Sequence, residues 1–168
     1  MVPSDSGRAP FFLGWICGGL LLFLGCKSTP SPSLGTPELA FAELQSRLRL
    51  HADAAVFELL AKSTQDSLSL AVEDPNSGPH WQSLALRRDE LLRLPAAHAF
   101  ARILNADRIR RGEEYRLLTE GKVSRVEAAQ SASGPRRAVL RCYHPESDSV
   151  RLLIFQQEGP EWRLVDLL

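Results

Sequence analysis

Cysteine is scarce in this chain, with three in 168 residues. That is too few for the disulfide scaffold on which small secreted domains rely. Charge of one sign is also missing. Twenty Lys and Arg stand against 20 Asp and Glu, so the chain has no positive field of the kind that nonspecific nucleic-acid binding needs. Its four histidines, His51, His80, His98 and His144, fall at no metal-type spacing with each other or with a free cysteine. Phosphate-cradling glycine loops, serine elbows and zinc helices are absent from the sequence, as are internal repeats. No cofactor or metal is expected. What remains is enough apolar residue, 44% of the chain, to exclude wholesale disorder and to build a core.

The longest apolar run, Phe11 to Gly25, holds no charge. At about 1.5 Å per residue it would span roughly 22 Å as a helix, short of the roughly 30 Å bilayer core. That length matches the apolar region of a signal peptide. Arg8 and the α-amino group make the preceding segment weakly positive, against Asp5. A stretch rich in Ser, Pro, Gly and Thr follows from Lys27 to Thr36 and reads as a flexible tether.

The junction Phe23-Leu24-Gly25-Cys26 resembles the lipobox of bacterial lipoproteins, with Phe23 where that family usually has Leu. The resemblance implies that Cys26 is acylated and becomes the mature N-terminus, and that residues 1–25 are removed. Two or three acyl chains, at about 0.8 kcal/mol per buried methylene, give stable anchoring. Lys27 stands where, by the family's pattern, an Asp would retain the protein at the inner membrane, which favours the outer membrane. Cleavage takes away one base, Arg8, and one acid, Asp5, leaving 19 of each. It also removes Cys17, so Cys142 is the lone remaining thiol, expected as a small core residue.

The rest divides by periodicity. Thr36-Pro37-Glu38 is a helix start, with an N-cap Thr, Pro at the first position and an acid in the first turn. Phe41, Leu44 and Leu48 then recur at helical spacing. After a break at His51-Ala52-Asp53, with Asp53 as a second N-cap, Val56, Phe57 and Leu60 continue as the second arm of a helical hairpin. Residues 63–70 are ambiguous between helix and strand, and 73–79 is a loop. Helix resumes from Trp81 to Arg111, divided at Pro95 and stopped by Gly112. The period then changes to 2, predicting strands at 122–130, 136–144, 149–157 and 162–168 joined by Pro- and Gly-bearing turns. Helices grouped before strands predict an α+β domain over 36–168, with helices on a curved four-stranded antiparallel meander.

That order resembles the nuclear-transport-factor-two-like superfamily of cone-shaped folds, most closely in Leu153 to Leu164. There an apolar strand, an acidic Gly turn, a Trp, a base and an aliphatic follow one another. The resemblance implies a pocket between helices and sheet. By strand alternation Asp166 shares a face with Trp162 and Leu164, and inside such a pocket desolvation would raise its pKa toward general-base use. Arg102, Arg108, Arg110 and Arg111, with Arg116, are the one local excess of base, a solvated helix end or a docking patch for an acidic partner or anionic lipid headgroups. Leu86, Leu91, Leu92 and Leu94 are denser than one helix face requires.

Three functions are compatible with these features. The first is a lipid-anchored, non-enzymatic envelope protein binding a protein partner or small apolar ligand. The second is a small-molecule isomerase- or cyclase-like enzyme using Asp166. The third is a structural accessory subunit of an envelope complex. A closed pocket around Asp166 would favour ligand binding or an enzyme; a pocket filled by Phe41, Phe57 and Trp162 would favour a scaffold.

Overall fold

A computed structural model describes residues 34–129, 134–146 and 148–167. The signal-peptide region, Cys26 and the tether up to residue 33 lie outside the described residues. Helix α1 (Pro37–Arg49) starts as its sequence dictates: the Thr36 hydroxyl accepts from the Leu39 N–H at 3.2 Å. It ends in a Schellman motif whose left-handed residue is His51, φ 55°. The Ala52 N–H reaches the Arg47 C=O and the His51 N–H reaches that of Leu48.

The second arm of the expected hairpin is shorter than its apolar stripe suggests. Helix α2 (Asp53–Val56) runs into a 3-10 turn, Phe57–Leu59. Leu60 is already extended and bridges Leu164 in parallel, while the Ala61 N–H donates to the Leu164 C=O at 2.7 Å. Covering a sheet edge overrides helical periodicity here. The ambiguous stretch is helix α3 (Lys62–Glu73). Two short helices follow, α4 (Gly78–Ser83) and α5 (Arg88–Leu91), then α6 (Ala96–Arg110) directly after Pro95. Gly112 does not close the helical half; it opens α7 (Gly112–Glu120), with Glu113 and Glu114 at its positive end.

Strands β1 (Lys122–Ala129), β2 (Arg137–Tyr143), β3 (Val150–Glu158) and β4 (Glu161–Leu164) pair antiparallel in chain order. The fold is the expected α+β arrangement of helices on a four-stranded meander. A bulge between Arg125 and Glu127 interrupts the β1–β2 register, a device that bends and twists a strand. Gly159, at φ 62°, makes the β3–β4 turn, a conformation glycine adopts without penalty.

Helices α1 and α7 lie on the sheet, and α6 packs behind on α2. The interior contains Phe41, Leu44 and Leu48 of α1, Leu117 and Leu118 of α7, and alternate residues of the strands: Ala138, Leu140, Cys142, Leu153, Phe155, Trp162 and Leu164. Helix α6 has two apolar stripes. Phe100 and Leu104 enter this core, while Ala99 and Ile103 join Val72, Trp81 and Leu91 in a second, wholly helical cluster. The domain begins earlier than residue 36. Leu34, assigned above to the tether, is buried, and its C=O accepts from the Trp162 N–H at 2.9 Å. Residues 34–167 thus contain both cores and every element that builds them.

Candidate functional site

The space between helices and sheet is occupied by side chains. Phe41 and Trp162 are buried, and Phe57 packs against the same cluster with its ring 5.7 Å from that of Phe100. Asp166 is not inside it. Strand β4 ends at Leu164, so alternation fails two residues short of Asp166, which is exposed. The carboxylate proposed for general-base work therefore stands on the surface, outside the apolar enclosure that the expectation for that residue required.

The arginine-rich segment separates into groups with different jobs. Arg108 turns inward. Its guanidinium donates to Asp53 Oδ1, lies 2.7 Å from His51 Nδ1 and covers the Tyr115 ring at 4.5 Å. An arginine can only donate, so His51 Nδ1 must be the acceptor, with its proton on Nε2. Asp53 is therefore not an N-cap: Ala52 holds that position, and the Asp53 carboxylate serves α6. Burial raises the Tyr115 phenol above its ordinary value, with Arg108 opposing that shift. Arg111 bridges Asp107 at 3.0 Å and Glu114 at 3.5 Å, and Arg116 pairs with Glu120 at 3.4 Å. Arg102 and Arg110 are exposed and have no ion pair or hydrogen bond among the described residues. The signal for the Arg108 role was present: Phe100, Leu104 and Arg108 recur every fourth residue on the inward stripe of α6.

Of the dense leucines, Leu91 is buried and Leu86 half-buried, whereas Leu92 and Leu94 are exposed. His144 accepts from the Glu146 N–H at Nδ1 and lies 3.7 Å from Glu120. Among the described residues no group of three His, Cys, Asp or Glu side chains is placed to hold a metal ion. None of their helices is long and apolar enough to cross a membrane.

Cys142 is fully buried, and its thiol meets the Leu117 C=O at 3.2 Å. Gly121 closes the same corner. A Cβ there would stand 2.3 Å from the Leu117 oxygen and 2.8 Å from the sulfur, so only glycine lets α7 turn into β1 at this distance. Burial pushes the Cys142 thiol up to about 11, from 9.0. A protein with Cys142 as its sole thiol should therefore resist alkylation when native near neutral pH and react when denatured; rapid native labelling would contradict this packing. The unfolded chain loses the proton near 9.0 and the folded one near 11. Stability gained from the neutral thiol is thus complete below about 9 and declines as pH rises toward about 11.

The fold is a small α+β domain with helices packed on a four-stranded antiparallel sheet. No protein-family model, curated protein or solved structure matches the chain.

Proposed function

We propose that this chain is a lipid-anchored lipoprotein of the bacterial cell envelope, acylated at Cys26, whose domain is a non-enzymatic binding module. The observation that carries the non-enzymatic part is the occupied interior: Phe41, Phe57 and Trp162 stand where a reaction pocket would have to be, and Asp166 lies outside. The lipobox-like junction at Cys26 and the uncharged run before it support the anchor. The neutral balance that cleavage would leave, 19 bases against 19 acids, supports it too, because such a chain has no field of its own to hold it at an anionic surface. The succession of helices and a four-stranded meander supports the cone-shaped plan, with α3 to α6 as additions to its helical part.

The tether makes the reading more specific. Seven residues, 27–33, separate Cys26 from Leu34, which is fixed in the core beside β4. Fully extended, the eight steps from Cys26 to Leu34 reach at most about 29 Å at ~3.3–3.6 Å per residue. The domain would work close to the membrane that holds it, the outer membrane by the Lys27 criterion. Metabolic labelling with an alkyne fatty acid tests the anchor. Wild type should carry the label and sediment with membranes, and Cys26→Ser should lose the label and leave the pellet. A Cys26→Ser protein that is still labelled and still sedimenting would refute it.

A further inference from the structure

An apolar groove separate from the filled interior opens between α3, α4 and α6. Leu68 and Ala71 of α3, Trp81 and Leu84 at α4, and Ile103 of α6 line it, and it holds about 290 Å³. That volume is near the lower end of small-molecule sites, roughly 300 Å³ and above. Its wall is preformed: Trp81 is buried, and its indole N–H is held by the Ser77 hydroxyl at 2.8 Å.

The polar groups of the groove are His80, Asp107, Arg110 and Arg111. Asp107 and Arg111 neutralise each other at 3.0 Å. Arg110 has no ion pair or hydrogen bond among the described residues, and the His80 ring, edge-on to Trp81, adds a nitrogen at the rim. An apolar trough with one uncompensated cation is complementary to one kind of molecule. A neutral chain would leave Arg110 unused, and a cationic head would be repelled by it. A carboxylate can take the planar guanidinium through two parallel hydrogen bonds.

We propose that this groove binds a carboxylate-headed amphiphile, a free fatty acid or molecule of that form, with its alkyl chain along Leu68, Trp81 and Ile103 and its carboxylate on Arg110. The inference deepens the binding-module reading and rests on it, but it involves only residues of the domain.

Trp81 supplies the test. A chain beginning at residue 27 contains the whole domain and keeps two tryptophans, Trp81 and Trp162; Trp162→Phe leaves Trp81 as the sole emitter. Titration with ω-bromododecanoate, whose bromine quenches on contact, should give saturable quenching. Dodecanoate should reverse that quenching, and dodecyltrimethylammonium should not. Arg110→Glu should weaken binding by about tenfold or more, and Arg110→Lys by less than Arg110→Glu but measurably, because lysine keeps the charge and loses the two-bond fork. Arg110 is exposed and has no ion pair or hydrogen bond among the described residues, so both variants should melt with the parent. Absence of saturable quenching would overturn the proposal. So would equal displacement by dodecanol and the ammonium, or an unchanged affinity in Arg110→Glu. Fatty-acid labelling at Cys26 reads the anchor separately, so the failure of either leaves the other standing.

Discussion

Phe100→Ala should lower the free energy of unfolding by about 3–5 kcal/mol, the range for deleting a buried aromatic ring. Phe100 is 0% exposed and tilts against Phe57 at 5.7 Å. Its position on α6 gives the loss its reach. Residues 100 and 104 of that helix enter the sheet-facing core, while 99 and 103 enter the helical cluster, so a void at 100 opens where the two cores share one helix. Neither side can collapse into it without moving α6 away from the other, and unrelaxed cavities are the costly ones. Urea unfolding should show a lower midpoint with an unchanged slope. Leu92→Ala, at a side chain 44% exposed, should stay within about 0.5 kcal/mol. A Phe100→Ala cost no larger than the Leu92→Ala cost would mean that α6 does not join the two cores as described.

The legible parts of the fold are those with local chemistry. Thr36-Pro37-Glu38 marks the start of α1 because cap, proline and acid act within one turn. The four strands were readable because apolar residues alternate along much of β2 and β3 and because Gly159 breaks the last pair, although the fourth strand ends at Leu164, short of the expected 168. The missed boundaries lack that chemistry. The break after α4 is a second Schellman motif, with the Ala85 N–H on the Gln82 C=O and the Leu86 N–H on that of Trp81. Its left-handed residue is Ala85, φ 55°, where glycine is the usual marker. His51 hides the end of α1 in the same way. Gly112, conversely, looks like a stop and is the first residue of α7. At the candidate site, Arg110 was legible as part of a basic cluster. The groove beside it was not, because its walls come from three segments whose association is purely tertiary. Leu34 and Asp53 found partners 128 and 55 residues away, Trp162 and Arg108, and no local pattern announces such pairs.

The Asp53–Arg108 pair carries the second large effect. Asp53→Ala should cost about 3–5 kcal/mol, the penalty for leaving one member of a buried ion pair uncompensated. Both side chains are largely buried, at 12% and 16% exposure. Arg108 Nε is already buried with no acceptor among the described residues, so with Asp53 gone the guanidinium would keep, among them, the His51 nitrogen and the Tyr115 ring. The cost belongs to the stranded charge rather than to the bond itself. Removing the charge as well should therefore recover stability: Asp53→Ala with Arg108→Met should be less destabilised than the two single changes added together, by about 2 kcal/mol or more in a double-mutant cycle. Additive losses would show that the two groups do not interact. Salt should discriminate further, since screening weakens exposed pairs such as Lys62–Asp66, at 72% and 57% exposure, far more than buried ones. The same experiment separates neighbours on one helix. Arg108 and Arg110 are two residues apart and opposite in role, so changes at Arg108 should alter melting, and changes at Arg110 should alter affinity for a carboxylate chain while leaving melting where it was.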